Sequence, residues 1–304
     1  MNEPEDREIY RAVLESLPTA VYVVDRFGKI LLWNDGAERI TGHRRQDVLG
    51  RSSQDDFLCH ADADNNEMTG TQTPLAATLR EGKASDSQIS LQHKSGHRIP
   101  VRLRTVPIRN AHGHLVGAAE CFEESMAVAD WDRRQNKLAA YGCLDQASGT
   151  LHHGVVQSHL RESLATFAEH QVPFSILCIA IDRLEQVTTR HGPAALASIM
   201  RTVGQTLENS LRPGDFLGRW NENEFLSIVQ ECSAAEVPRV GERLRKMVHA
   251  AKIEWWGDRL PVTVTVGATG ANTGDTVETM VARGEKALQE SLKQGGNRVV
   301  VWNE

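Results

Sequence analysis

Hydrophobic and polar positions change their period several times along the chain, and each change marks an element. Residues 7–17 carry a short helical pattern that stops at Pro18. Two apolar runs follow, Ala20–Val24 and Lys29–Trp33, joined by Asp25-Arg26-Phe27-Gly28, which predicts a hairpin with glycine at its turn. Asn34-Asp35 is placed to cap a helix over Ala37–Thr41, and Gly42 to close it. After a polar stretch come three alternating runs, Ser87–His93, Arg98–Ile108 and Leu115–Phe122, with turn chemistry in Lys94-Ser95-Gly96 and Asn110–His114. The pattern predicts a small antiparallel sheet with short helices and one open face.

Residues 123–144 hold no proline and are polar with a thin apolar line. Val128, Trp131 and Leu138 fall at a/d-like spacing, with Gln135 in the remaining seam position, so a helical, coiled-coil-like linker is expected over 124–144. Either it pairs two copies of the chain or it is a single surface helix. Helical spacing returns with Val155, Val156, Leu160, Leu164 and Phe167, predicting a helix from His153 to His170. The continuous apolar run FSILCIAI after Pro173 reads as a buried strand. A helix over Ala194–Leu211 turns Leu196, Ile199, Val203 and Leu207 inward. Strands at Phe216–Arg219 and Phe225–Val229 flank a turn at Trp220–Asn223. Helix Glu236–Ala251, strand Pro261–Ala268, helix Thr276–Lys293 and strand Arg298–Trp302 complete the series, with Gly295-Gly296 stopping the last helix. The expected class is α+β, with helices over a mostly antiparallel sheet and a hairpin at its centre. The expected segments are an N-terminal helix (1–19), a first domain (20–123), the linker (124–144) and a second domain (145–304).

Composition narrows the function classes. The chain has 304 residues, 40% hydrophobic and 24% charged, enough for two globular domains. A net charge of −6 gives no reason to expect nucleic acid or an anionic membrane as partner. No apolar run approaches the roughly 20 residues of a membrane span. The acidic opening MNEPEDREIY is unlike a secretory signal, and the expected location is the cytoplasm. Cys59, Cys121, Cys143, Cys178 and Cys232 are scattered, as reduced thiols would be. Twelve histidines, among them His112, His114, His152 and His153, form no metal-ligand spacing, so they are read as solvated loop histidines and no metal is expected. Trp255-Trp256 is read as core packing at a hairpin edge, with a docking surface as the alternative.

The phrases VVDRFGKILLWN, TGHRRQDVLGR and SGHRIPVRLRTVPIRNAHGHLVGAAECFEE resemble a PAS domain over roughly residues 7–123. That resemblance implies a sensor or a dimerisation module. Its ligand is left unassigned: no cysteine lies in an NCRFLQ-like flavin-attachment motif, and His60 in LCHAD is read as a polar loop histidine rather than a haem ligand. Over residues 145–302, DQASGTLHHG, FSILCIAIDRLEQV, LRPGDFLGRWNENEF, VTVTVGA and EKALQESLKQGGNRV are similar to a GGDEF domain, the diguanylate cyclase fold.

The family joins two GTP molecules across a dimer, using two divalent cations held by carboxylates. On that alignment the metal-binding aspartate falls on Ala180, which has no ligand atom. The third signature position, an acidic residue in the family, is Asn223. The signature glycines are Asn221 and Glu222, and a carboxylate at Glu222 faces where a triphosphate would lie. Thr188 and Ala197 stand at the guanine-binding positions, and Leu292 at the phosphate-directed lysine, with Lys293 one residue on. Glu224 and Asp182 survive, and Asp182 points to the same face as Ala180, which makes it the candidate for a relocated ion. The expectation is therefore a degenerate site without catalytic activity.

Arg212 and Asp215, in RPGD five residues before the signature position, match the family's RxxD inhibitory site for cyclic di-GMP. An arginine fork suits a guanine edge or a phosphate, and a carboxylate accepts from guanine N1–H and its amino group. A plain solvated turn is the alternative. Three readings stay open. In the first, a catalytically inactive domain binds cyclic di-GMP at Arg212 and Asp215, forms a homodimer through the PAS domain and linker, and relays to an unidentified protein partner. The second is an active or weakly active diguanylate cyclase, and the third a structural dimerisation and docking module without ligand. No cofactor is assigned beyond cyclic di-GMP as possible ligand.

Overall fold

The computed structural model describes residues 3–55, 57–62, 66–124, 142–256 and 258–302. The seam positions Val128, Trp131, Gln135 and Leu138 of the expected linker lie outside the described residues. The chain divides into two compact units, Met1–Ser95 with Ile99–Ser125, and Gly96–Arg98 with Met126–Glu304.

In the first unit, helix α1 (Glu3–Ser16) precedes strands β1 (Ala20–Asp25) and β2 (Ile30–Trp33), which pair antiparallel. Gly28 takes φ 84° in their turn, a conformation a side chain would resist. Helix α2 (Asp35–Thr41), a single turn α3 (Arg45–Val48) and α4 (Pro74–Glu81) lead to strands β3 (Ser85–Gln92), β4 (Arg98–Arg109) and β5 (Leu115–Glu124). The sheet runs β2-β1-β5-β4-β3. Along β4, Val101, Leu103 and Thr105 are buried while Arg102 and Arg104 are exposed, so one face is open and the other carries the core of Tyr22, Trp33, Leu91 and Phe122.

Asn34 ties this unit together. Its buried Oδ1 accepts from the amides of Val21 and Ala37, both at 2.8 Å, and its Nδ2 donates to the carbonyls of Leu14 and Thr19, both at 2.9 Å. One side chain thus caps α2 and holds β1 and the end of α1. Asn34→Ala leaves several buried groups unpartnered and is expected to cost about 2–4 kcal/mol. Urea denaturation of the full chain checks this, and a loss below about 1 kcal/mol would refute it.

In the second unit, α5 (His153–His170) leads to β6 (Phe174–Ile181), whose eight residues are all buried. Helices α6 (Leu184–His191) and α7 (Pro193–Asn209), strands β7 (Phe216–Arg219) and β8 (Glu224–Gln230), and α8 (Val237–Ala250) follow. A two-stranded hairpin of β9 (Ile253–Trp255) and β10 (Asp258–Leu260) precedes β11 (Val264–Gly270), α9 (Val277–Lys293) and β12 (Val299–Trp302). The sheet order is β12-β11-β6-β8-β7, with only β11–β12 parallel among its described pairs.

β6 is central because it is apolar on both faces. Leu177, Ile179 and Ile181 enter one core with residues of α7 and α8, while Ile176, Cys178 and Ala180 enter another with residues of α5 and α9. The expected central hairpin is therefore corrected: β7–β8 forms one side of the sheet, with β7 at its edge. Helix α6 had no counterpart in the sequence pattern, and the β9–β10 hairpin was anticipated only as a hairpin edge at Trp255-Trp256. The strand expected from Pro261 begins at Val264, and just before it the Thr263 hydroxyl donates to the Asp182 carboxylate. Trp255 packs against the core as expected, but Trp256 is 90% exposed at the hairpin turn with φ 52°, so core packing is wrong for that residue.

Candidate functional site

The signature loop is held from three sides. Arg219, at the end of β7, reaches Asp145 at 3.1 Å and donates to the carbonyls of Asn221 (3.3 Å) and Glu222 (2.8 Å). The His153 and Trp220 rings lie 4.2 Å apart, and His153 Nδ1 is 3.0 Å from the Trp220 carbonyl. Burial pushes the Asp145 carboxyl up, but the Ser148 amide and hydroxyl and Arg219 together hold it below the usual range. The DQASG phrase is thus the loop's anchor.

Within that frame the residues left for metal chemistry are few. Ala180 is 7% exposed and lies in register between Glu224 on β8 and Thr265 on β11. Asp182 sits at the same strand end, but its carboxylate accepts from the hydroxyls of Thr263 and Thr265 and from the Asn297 amide. Asp182 therefore joins the β6 end to the β11 start and the turn before β12, and its oxygens are used in doing so. Glu224 accepts from the Asn221 amide group at 2.8 Å, and Asn223 contributes its carbonyl to the Ile181 amide. The two divalent cations of the family's chemistry do not fit this donor set. Among the described residues, no group of three His, Cys, Asp or Glu side chains is arranged to hold a metal ion.

Of the other expected positions, Thr188 is committed and the rest are exposed. Thr188 donates its hydroxyl to the Leu184 carbonyl one turn back in α6, and Ala197 is exposed. Glu222 is exposed, and Leu292 is partly so. Lys293 lines a shallow cleft with Lys286, Glu290 and Trp302 on the outer side of α9.

At the far end of the β7–β8 hairpin, about 13 Å away for four strand residues, the RPGD turn builds a different constellation. Gly214 takes φ 102°, and the Asp215 amide donates to the Arg212 carbonyl at 3.0 Å. Asp215, 7% exposed, accepts the Arg212 amide on Oδ2 (2.9 Å) and the Gln230 amide on Oδ1 (3.1 Å), pinning the turn to the end of β8. The Arg212 side chain is exposed.

Two neighbours escaped the sequence reading. Arg243, half-buried on α8, has a buried Nε with no hydrogen-bond partner among the described residues; burial and then the charge of Arg212 pull its guanidinium below the usual value, against the attraction of Asp215. Glu208, buried at the end of α7, has an unpartnered Oε2, and burial followed by the charge of Asp215 pushes its carboxyl far up; burial likewise raises Asp215. A signal for Arg243 existed, since it falls three residues after Val240 and four before Met247 on the inward stripe of α8. For a carboxyl whose folded pKa is raised, folding favours the neutral acid. Its stabilising contribution is complete below the ordinary glutamate value near 4.3 and declines as pH rises through that value toward the folded one. Glu208→Gln is expected to melt increasingly above wild type from about pH 5 to pH 8; parallel melting curves across that range would refute it.

In the first unit, His60 corrects its assignment as a solvated loop residue. It is 4% exposed, with Nε2 3.2 Å from Oε1 of Glu120, which is fully buried on β5. A buried carboxylate needs donors, and His60 is placed to supply one. Glu120 also raises the phenol of Tyr22, after burial itself.

Comparison with known proteins accords with this architecture. The family model described as diguanylate cyclase, GGDEF domain, matches residues 143–298, and the PAS fold matches residues 8–122. The chain is 31% identical over 134 residues to diguanylate cyclase A of Treponema denticola, covering 44% of this chain and 36% of that protein. It is 28% identical over 131 residues to diguanylate cyclase DosC of Escherichia coli (43% of this chain, 28% of that protein). With the probable diguanylate cyclase DgcE of Escherichia coli it shares 22% identity over 300 residues, 98% of this chain but 26% of that protein. The chain thus spans between 26% and 36% of the length of these curated relatives. Among solved structures, the GGDEF domain of DgcB from Caulobacter crescentus in complex with c-di-GMP superposes with TM-score 0.52 at 20% identity, covering 54% of this chain and 94% of that one. Diguanylate cyclase SiaD from Pseudomonas aeruginosa, in complex with its activator SiaC, gives TM-score 0.52 at 24% identity, covering 57% and 67%. These two likenesses bear on the fold. With its family match spanning half the sequence, the chain belongs to the GGDEF family, and a PAS-fold domain precedes its GGDEF domain.

Proposed function

We propose that the second domain is a catalytically silent GGDEF domain that binds cyclic di-GMP at Arg212 and Asp215, and that the chain relays ligand state to a protein partner. The observation that carries the silent half is Ala180: no ligand atom stands at the metal position, and the nearby Asp182 carboxylate is already held by Thr263, Thr265 and Asn297. Arg212 supports the binding half, being exposed beside the unpartnered Nε of Arg243. Each Asp215 oxygen accepts one backbone amide and keeps a second lone pair for guanine donors. A homodimer through the PAS domain and linker is part of the reading, supported by the outward Ile9, Tyr10 and Val13 of α1.

One observation favours the ligand-free scaffold reading instead: both Asp215 oxygens already serve the turn. Calorimetric titration of the full chain with cyclic di-GMP separates the two, since saturable heat is expected for the receptor and none for the scaffold. Incubation with GTP and Mg²⁺ or Mn²⁺ is expected to yield no cyclic di-GMP, and any product above a no-protein control would overturn the silent assignment.

A further inference from the structure

The two edges of the GGDEF sheet differ. At β7 the edge is closed: the Leu151 amide donates to the Leu217 carbonyl at 3.2 Å, and the Arg219 amide to the Leu151 carbonyl at 2.8 Å. At the other end β12 is the last strand, and among the described residues no strand lies beyond it. Its residues, Val299-Val300-Val301-Trp302, include no lysine or proline, and its register with β11 has no bulge, so the usual devices that blunt an edge are missing. The Val266 amide donates to the Arg298 carbonyl at 2.9 Å. In a parallel ladder successive residues bond to opposite sides, so Arg298, Val300 and Trp302 serve β11. The amides and carbonyls of Val299 and Val301 then point to the open edge.

Val299 and Val301 pack their side chains with the core on the α8 side, and Val300 and Trp302 alternate to the α9 side. There Lys286 Nζ lies 5.7 Å from the centre of the Trp302 ring. A cleft of about 490 Å³ runs along this edge of α9, lined by Glu285, Lys286, Gln289, Glu290 and Lys293 besides Trp302. These α9 positions are spaced i, i+1, i+4, i+5 and i+8, so they form one face. The signs read minus, plus, neutral, minus, plus, a pattern complementary to itself when reversed. Against an antiparallel copy of α9, Glu285 meets Lys293 about a centre at Gln289, and Lys286 meets Glu290 about a centre at Leu288. The strand has its centre at the same level: a Cβ on Gly267 would strike Leu288, and Gly267 is in register with Val300. One two-fold axis at Val300 therefore serves both the open edge and the charged face, as an isologous contact requires.

We propose that β12 is an interface with a second copy of this chain. The two β12 strands pair antiparallel about Val300, Val299 of each exchanging backbone hydrogen bonds with Val301 of the other, and the α9 faces meet across the seam. This contact uses none of the residues of the dimer assigned above to the PAS domain and linker.

Cross-linking of the full chain tests it. Residues that face each other between hydrogen-bonded pairs have Cα atoms about 4.5 Å apart, inside the roughly 4.4–6.8 Å that a disulfide spans. Under mild oxidation Val300→Cys is expected to form a disulfide-linked dimer on non-reducing gels at least tenfold faster than wild type with its native cysteines. Adding Val301→Pro removes an edge-facing donor and none that serves β11, and should slow the reaction at least tenfold. Adding Glu285→Lys should slow it as well, and Lys293→Glu on top of that should restore it. Positions eight apart on one helix do not touch, so restoration reads the contact between copies. Hydrogen exchange of wild type needs no substitution: the Val299 and Val301 amides are expected to be protected to within tenfold of the Val300 amide. The proposal is overturned if Val300→Cys cross-links no faster than wild type, if Val301→Pro leaves the rate unchanged, or if the charge exchange does not restore it. Should the cysteine variant fail to fold, exchange at Val299 and Val301 more than tenfold faster than at Val300 overturns it.

Discussion

Gly267→Ala is expected to unfold the GGDEF domain or to weaken it by about 4 kcal/mol or more. Gly267 lies in the middle of β11, opposite Cys178 of central β6 and Val300 of β12. A Cβ there would run into the Leu288 amide and the Gly284 carbonyl of α9, which are backbone atoms with no rotamer to give way. Gly284 is itself close-packed: a Cβ on it would lie 2.7 Å from the Cys178 sulfur. Helix and sheet approach at paired glycines, so relief requires lifting α9 away. That motion would open the contacts of Met280, Val281 and Leu288 with Ile176 and Cys178. Overpacking alone costs about 1–3 kcal/mol, and re-exposing buried aliphatic side chains costs a further 1.5–3 kcal/mol for each one fully uncovered. Against a typical total of about 5–15 kcal/mol, the domain would be at the edge of folding. Chemical denaturation of the full chain, followed in the far-UV, reads the change. A loss below about 1 kcal/mol would mean that α9 can shift freely.

That glycine pair shows where the sequence is and is not legible. Periodicity located β6, α5 and α9 closely, because each has a long apolar stripe or run. Helix α6 has only Leu184 and Val187 as apolar positions and gave no comparable signal. The three-residue strands β9 and β10 are too short for a period to register. Sheet order lay beyond local pattern altogether: that β7–β8 forms a side of the sheet depends on β11 pairing with β6, some 85 residues away. In the candidate site, the lack of a ligand atom at Ala180 could be read from one letter. The commitment of Asp182 to two threonines and an amide could not, since its partners lie 81 to 115 positions distant. His60 was misread for the same reason: its partner Glu120 is 60 residues on, and nothing local marks a histidine in LCHAD as buried.

Arg212→Ala is expected to weaken cyclic di-GMP binding about 100-fold, the equivalent of roughly 2.7 kcal/mol. The size follows from what an arginine supplies here: two parallel charge-assisted hydrogen bonds to a guanine edge or phosphate, each about twice as strong as a neutral one. The Arg212 side chain is exposed, whereas its amide and carbonyl hold the turn, so truncation removes the fork and leaves the backbone bonds to Asp215 in place. Asp215→Ala would be a poor probe, because it strips the Arg212 and Gln230 amides of their acceptor and loosens the turn itself. Arg212→Lys keeps the charge but loses the planar fork, and it should bind nearly as weakly as the alanine variant if the contact is bidentate. Recovery to within about threefold of wild type in the lysine variant would reduce the contribution to a point charge. Arg243→Met provides the second axis. Among the described residues its Nε has no hydrogen-bond partner, and its charge already opposes that of Arg212, so an anionic ligand would relieve both conditions. Loss of affinity in this variant, with thermal stability kept or raised, is the expected pattern. Unchanged affinity in Arg243→Met would confine the ligand to Arg212 and Asp215, and unchanged affinity in Arg212→Ala would remove the RPGD turn from the binding site.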